Sequence, residues 1–141
     1  MVDEDVKAKV LEANAAFYRA FTRGDVAAMR ELWAEEAELL CFHPGGALLR
    51  GRAEVLGAWA QILSGSSPLD MRCHDASVEV HGVVGVVTCY EGNGSQAPHL
   101  AATNVFVLEG GRWRMMHHHA GPLAVAPRAP VRSSRPPSSM N

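Results

Sequence analysis

Hydrophobic residues in the first part of the chain recur at spacings of three and four. Val6, Val10, Phe17 and Phe21 follow this spacing, with alanines between them. Such a stripe is the buried side of an amphipathic helix, so the pattern predicts a helix over about 5–23. Acidic residues at the start of this segment and arginines near its end suit the helix dipole.

Two further helices are predicted in the first half of the chain. The second follows the first across a tight corner at Arg23-Gly24-Asp25, because glycine ends helices readily and aspartate caps the next one. The third opens at Gly51-Arg52 and ends in a serine- and glycine-rich run at 64–68. Apolar residues at helical spacing mark the buried sides of both helices: Val26, Met29, Leu32 and Trp33, then Val55, Leu56, Trp59, Ile62 and Leu63.

Extended segments with a period of two account for the rest of the ordered chain. Glycine-containing turns separate most of them, and sequential strands joined by short turns pair antiparallel. Helices followed by strands predict an α+β domain, in which three helices pack on one face of a curved antiparallel sheet. The predicted strands run over about 37–43, 47–50, 69–81, 83–91, 99–109 and 112–120.

Composition divides the chain into one domain and a tail. A length of 141 residues with 48% hydrophobic content suits a single core, predicted over residues 1–122. Residues 123–141 are rich in proline, serine and arginine, a composition that predicts disorder. Because three arginines lie in this tail, the folded part carries 10 basic and 15 acidic residues, which disfavours nucleic acid binding.

The cysteines and the N-terminus predict a cytoplasmic location. Cys41, Cys73 and Cys89 are odd in number and lie in apolar surroundings, so we expect reduced, buried thiols. The N-terminus is acidic, and no apolar stretch approaches the ~20 residues that span a bilayer. Neither secretion nor membrane insertion is expected.

Three consecutive histidines, 117–119, lie in the last predicted strand. Since side chains alternate along a strand, Trp113, Met115, His117 and His119 are expected on one face and Met116 and His118 on the other. If this strand borders a cavity, at least one imidazole faces it.

General acid-base catalysis in such a cavity is one hypothesis. It uses His118 facing inward and Asn104 from the adjacent strand, with His43 as a second proton carrier. Histidine exchanges protons near neutral pH, and an asparagine amide can hold a carbonyl or enolate oxygen. The alternative is that these polar groups only orient a bound ligand.

Apolar residues supply candidate walls for the same cavity. At helical or strand spacing, these side chains are also ordinary core residues, so both interpretations stay open. We predict no metal and no cofactor. His117 and His119 lack an evident third metal ligand, so histidines hydrogen-bonded to neighbours in a core or an interface are the preferred interpretation. The candidate substrate-binding residues are Phe17, Tyr18, Trp59, Cys41, Met116 and Phe106.

The order of these motifs resembles the SnoaL-like branch of the nuclear-transport-factor-2-like superfamily. The resemblance rests on the Gly24-Asp25 corner, the run 32–37 (LWAEEA), Gly51-Arg52 and the closing run 111–119 (GRWRMMHHH). The closing strand is also similar to that of the association domain of calcium/calmodulin-dependent kinase. The resemblance covers roughly residues 6–122.

The resemblance implies a cone-shaped α+β barrel, usually dimeric, with a pocket between sheet and helices. Positions matching the catalytic residues of steroid isomerases hold Phe17, Cys41 and Asn104, so that reaction is not implied, although Tyr18 is adjacent. We therefore predict a binding domain for a small, largely apolar molecule, with isomerase- or cyclase-type proton transfer as its candidate chemistry. A non-catalytic association module is the alternative, and a homodimer through the uncovered sheet face is expected.

Overall fold

The structure is a computed structural model that describes residues 3–65 and 69–127. Two helices are followed by two short strands, a third helix and four longer strands, in the predicted order. The predicted tail is described only to residue 127, where Leu123 still donates its N–H to the carbonyl of His99 at 2.9 Å. The elements are α1 (Glu4–Arg23), α2 (Val26–Leu32), β1 (Leu40–Phe42), β2 (Leu49–Arg50), α3 (Arg52–Leu63), β3 (Met71–His81), β4 (Val84–Asn93), β5 (Leu100–Glu109) and β6 (Arg112–Pro122).

The corner between α1 and α2 has the geometry that its sequence predicts. Gly24 adopts a left-handed conformation with φ of 63°, and its N–H is bonded to the last turn of α1. This conformation is costly for residues with a Cβ, which explains the glycine. The Asp25 carboxylate then accepts the N–H of Ala28 at 3.0 Å and starts α2.

The strands form one curved, unclosed sheet in the order β2-β1-β6-β5-β4-β3. Strands β3 to β6 are antiparallel neighbours, as predicted. The prediction of a wholly antiparallel sheet is wrong at one place, because β1 runs parallel to β6. These two strands are far apart in the chain, so no short turn fixes their relative direction.

The helices cover one face of the sheet, called the inner face here, and the opposite face is called the outer face. Burial alternates regularly along β5, where Ala102, Asn104 and Phe106 are buried on the inner face. Thr103 and Val105 therefore lie on the outer face. The core lies between the inner face and the helices, and its largest members include Phe17, Trp33, Trp59, Phe106 and Met115.

A β-bulge interrupts the alternation of β6. Val105 pairs with His117 and Phe106 with Met115, so Met116 has no partner opposite it on β5. The extra residue shifts the phase of the strand. Met115 and His118 are consequently both buried, although strict alternation predicted them on opposite faces.

Two side chains tie the connection after α2 to the rest of the domain. The Arg52 guanidinium donates to the carbonyls of Trp33 at 3.2 Å and Ala34 at 2.7 Å. The Glu109 carboxylate accepts the backbone N–H groups of residues 35, 36 and 37 at 2.8–3.0 Å. Since β1 begins three residues later, these bonds position the strand that lies beside His118.

Candidate functional site

A chain of hydrogen-bonded polar side chains runs through the otherwise apolar interior. His118 Nδ1 lies 2.6 Å from Asn104 Oδ1, and Asn104 Nδ2 donates to the Tyr18 hydroxyl at 3.1 Å. The Tyr18 hydroxyl donates to Glu91 Oε2 at 2.5 Å. These four residues and Asn14 are called the polar network here. None of the five is more than 5% exposed.

Secondary structure brings the network together from four elements. Asn104 and His118 are directly opposite each other on β5 and β6, so their side chains meet on the inner face. Asn14 and Tyr18 are one turn apart on α1 and point at the same place. Glu91 reaches the network from the inner face of β4.

The hydrogen bonds of the network are directional. Asn104 Nδ2 donates to both Asn14 Oδ1, at 2.8 Å, and Tyr18. The opposite amide atom, Oδ1, is therefore an acceptor, and His118 must carry its proton on Nδ1. Nε2 of His118 is left as the basic nitrogen in the neutral ring.

The network ends at two thiols on the inner face of β3 and β4. Asn14 Nδ2 donates to Cys73 Sγ at 3.6 Å. The Tyr18 hydroxyl lies 3.3 Å from Cys89 Sγ. Sulfur is a weak hydrogen-bond partner, so these contacts position the side chains more than they stabilise them.

Burial shifts the pKa of each titratable group of the network in the direction that favours its neutral form. It lowers the pKa of His118 to about 3, with smaller contributions from His43, His117 and His119. Burial also raises the pKa of the Glu91 carboxyl, against the opposing effect of the Tyr18 hydrogen bond. The pKa of Tyr18 is raised as well, first by burial and then by Glu91. No salt bridge involves Glu91 within the described ranges, so no cation offsets the effect of burial on the pKa of its carboxyl group.

Aromatic rings enclose the His118 end of the network. The His118 ring lies 5.0 Å from Phe17 and 5.7 Å from Trp59, between ring centroids. His43, which is half-buried, packs edge-on against Trp59 at 4.7 Å and is 6.1 Å from His118. Because His118 is only 1% exposed, the cavity that the sequence predicts beside it is not open at this residue.

The remaining predicted residues surround this centre at different depths. Cys41 is fully buried, with Sγ 3.6 Å from His43 Nε2, and burial raises its pKa to about 12. A thiol with such a pKa is a poor nucleophile at neutral pH. Phe106 is buried in the core, whereas Met116 is half-buried at the bulge, where Met115 takes the fully buried place.

Two residues of the polar network, Asn14 and Glu91, were not predicted from the sequence as site residues, and neither were the two thiols at its end, Cys73 and Cys89. Asn14 and Glu91 carried a usable signal, since both are polar residues at positions that the local period assigns to the buried side. Asn14 lies four residues after Val10 in the apolar stripe of α1. Glu91 follows the inner-face residues Val87 and Cys89 at intervals of two.

The outer face carries the other two histidines of the triplet. The rings of His117 and His119 lie 6.4 Å apart. A concave region of about 470 Å³ adjoins His119 and is lined in part by Thr88, Tyr90 and Thr103. Over residues 3–65 and 69–127, no three His, Cys, Asp or Glu side chains are grouped so that they could hold a metal ion.

Comparison with known proteins identifies the family. The family model for SnoaL-like domains matches residues 10–125, and the chain belongs to this family. A candidate dehydratase of the NTF2-like family from Streptomyces avermitilis is 33% identical, with a TM-score of 0.78 over 87% of this chain and 100% of that one. A candidate calcium/calmodulin-dependent protein kinase type II association domain from Thiobacillus denitrificans is 29% identical, with a TM-score of 0.65 over 79% and 92% of the two chains.

A curated relative extends the comparison to plants. F-box protein SKIP8 of Arabidopsis thaliana is 25% identical over 116 residues, which cover 82% of this chain. The chain spans about half the length of that relative. In the described part of the chain, no helix has the length and apolar character needed to cross a bilayer.

Proposed function

We propose that this domain binds a small, largely apolar molecule bearing a carbonyl or hydroxyl oxygen between its sheet and its helices. The observation that carries the proposal is the polar network, which places five hydrogen-bonding residues inside an aromatic core. A core built only for stability has no need of such groups, since each buried polar group costs free energy unless it is fully bonded. Local departures of this kind are typical of functional sites.

The binding groups in this proposal are the aromatic walls and the network. Phe17, Trp59, Phe106 and Cys41 supply apolar surface, with Met116 at its edge. Tyr18 and Asn104 supply donors for the ligand oxygen by exchanging hydrogen bonds, since in the structure the Tyr18 hydroxyl donates to Glu91 and Asn104 Nδ2 donates to Asn14 and Tyr18. Because side chains fill the space over His118, binding requires Trp59 and the half-buried His43 to move aside.

Proton transfer is the chemistry proposed for the bound molecule. Nε2 of His118 accepts a proton from carbon or oxygen of the ligand, and His43 exchanges protons with solvent. Asn104 Oδ1 accepts the proton on His118 Nδ1 and so leaves Nε2 free to act as the base. After proton transfer, Asn104 stabilises the His118 imidazolium through the dipole of its amide group. The similar protein from Streptomyces avermitilis is a candidate dehydratase, which supports the proposal of an enzymatic role for this domain.

The test of binding uses the two tyrosines of the chain. Native mass spectrometry of purified protein, followed by extraction, identifies a co-purifying compound, and titration of that compound gives its affinity. Tyr18→Phe removes one hydroxyl of the network and weakens binding by about tenfold, the usual worth of one hydrogen bond. Tyr90→Phe, on the outer face, is the matched control and leaves the affinity unchanged. A compound bound equally by both variants would contradict the proposal.

The test of catalysis uses the same compound once it is identified. His118→Gln and His43→Gln are expected to abolish its turnover while retaining its binding. Unchanged turnover in both variants removes the catalytic part of the proposal and leaves a binding domain.

Association through the outer face is the second function that we propose. This face is not covered by the helices, and the concave region beside His119 interrupts it. The relative from Thiobacillus denitrificans is a candidate association domain, which supports such a role. In sedimentation equilibrium the wild-type protein is expected to be a homodimer. Thr103→Arg, which places a charge on the outer face, is expected to be a monomer. The control Val83→Arg changes a turn residue that is 56% exposed and is expected to remain a dimer. A monomeric wild-type protein at micromolar concentration would contradict the proposed association through the outer face.

A further inference from the structure

The thiols of Cys73 and Cys89 lie at the end of the polar network and have no part in the proton transfer proposed above. We propose that these two residues form an oxidation site, in which a hydroperoxide converts the neighbouring thiols into a reversible disulfide. This site lies outside the ligand-binding centre and would change the network from its far end.

Strand pairing places the two cysteines side by side. Cys73 is directly opposite Glu91, and Cys89 lies two residues before Glu91 on the same strand. Residues that face each other and residues two apart share a sheet face, so the three side chains meet on the inner face. The α1 contacts agree, because Asn14 bonds to one thiol and Tyr18, one turn later, to the other.

Accessibility distinguishes the two thiols. Cys73 is half-buried and lines an open cleft of about 440 Å³ between α1 and the start of β3. Cys89 is only 5% exposed. A small peroxide entering this cleft therefore meets Cys73 first.

The environment also favours Cys73 as the residue that ionises. A hydrogen bond from Cys89 lowers the pKa of Cys73, while burial, Glu91 and Asp75 oppose this effect. The same contact raises the pKa of Cys89, together with burial. A thiolate is the form of cysteine that attacks peroxides, so the accessible residue is also the reactive one.

The oxidation takes place in two balanced steps. The Cys73 thiolate attacks one peroxide oxygen, an S–O bond forms, the O–O bond breaks, and the leaving oxide takes up a proton. Cys89 then attacks the Cys73 sulfenic sulfur, the S–S bond forms, the S–O bond breaks, and the departing hydroxide takes the Cys89 proton to give water. Both sulfurs are oxidised and both peroxide oxygens are reduced.

The disulfide requires a small movement of β3. Diagonal neighbours on adjacent strands have Cα atoms about 7–8 Å apart, just beyond the usual disulfide range. The pairing of β3 with β4 is irregular between His74 and Ser77, and Asp75 has a φ of 56° there. The backbone hydrogen-bond ladder is disrupted at such an irregularity, so a local shift of β3 breaks fewer hydrogen bonds here than in a regular pair of strands. Formation of the disulfide then breaks the hydrogen bond between Cys73 and Asn14 and the contact between Cys89 and the Tyr18 hydroxyl.

The experiment measures the products of hydrogen peroxide on the reduced wild-type protein. Intact mass is expected to fall by two hydrogen atoms, proteolytic mapping to join the Cys73 and Cys89 peptides, and dithiothreitol to restore the original mass. Cys41→Ser is expected to form the same cross-link, whereas Cys73→Ser and Cys89→Ser are not. Mapping of the wild-type protein gives the result even if a variant fails to fold. No mass change, a disulfide that includes Cys41, or stable sulfinic acid at Cys73 without a cross-link would each overturn the proposal.

Discussion

Two faces of the same strand hold consecutive histidines in opposite environments. His118 on the inner face is 1% exposed and bonded to Asn104, and its pKa falls to about 3. His117 and His119 lie on the outer face, where the pKa of the half-buried His117 is lowered by burial and by His119. One residue type is therefore a fully buried, hydrogen-bonded group on the inner face and a half-buried or exposed group on the outer face.

The difference shows that position on the sheet, more than residue type, sets the chemistry of a side chain here. On the inner face every polar group depends on a specific partner, since water does not replace it. On the outer face a threonine or histidine can exchange one partner for another at little cost. Changes of similar size should therefore have large effects inside and small effects outside.

The largest contrast is expected for aromatic packing. Phe17→Ala removes a fully buried ring that contacts His118, Trp59 and Tyr18, and should lower the free energy of unfolding by about 3–5 kcal/mol. Thr88→Ala on the outer face should change it by less than about 0.5 kcal/mol. Urea denaturation followed by circular dichroism measures both. Equal losses for the two variants would contradict the distinction between the faces.

A smaller contrast is expected for two neighbours on β5. Asn104→Ala deprives His118, Asn14 and Tyr18 of a common partner and should cost about 2–3 kcal/mol, the range for stranded buried polar groups. Thr103→Ala, one residue earlier and on the outer face, is the matched control. The same urea titration compares them, and near-equal stabilities would show that the network contributes no net stability.

The sequence predicted the fold well because local signals carry most of it. Apolar spacing and the Gly24-Asp25 corner specified the helices, and the turns specified strands β3 to β6. Two features depend on contacts between distant segments and left no local signal. They are the parallel pairing of β1 with β6 and the bulge at Met116, which reverses the expected face of Met115.

The candidate site was predicted only in part, for a related reason. His118 and Asn104 stood out because they are polar residues in neighbouring strands with a plausible reaction. Tyr18 was placed as a wall residue, whereas the structure makes it the junction of the network. Glu91 was missed because a carboxyl group is usually exposed, and only its partner on α1 explains its burial.

The pH dependence of stability provides the third contrast, between the inner-face residue His118 and the outer-face residue Thr103. The pKa of His118 is 6.5 when unfolded and about 3 when folded, so below about pH 6.5 the unfolded chain binds more protons. The stability that neutral His118 contributes is therefore complete above pH 6.5 and is lost as the pH falls. At about 1.4 kcal/mol per pH unit, its contribution should fall by about 2 kcal/mol between pH 6.5 and 5. Urea denaturation across this range measures the loss.

Comparison of variants isolates the histidine from other titrating groups. Glu91 acts in the opposite direction, because its raised pKa makes the folded state bind the extra proton and stabilises the fold toward low pH. His118→Gln removes only the histidine contribution, so its stability should fall less with acid than that of the wild-type protein. Thr103→Ala, on the outer face, removes no titrating group and should keep the wild-type slope. If all three proteins lose stability in parallel as the pH falls, His118 does not titrate as a buried neutral group. The proposed difference between the inner and outer faces would then be wrong for His118.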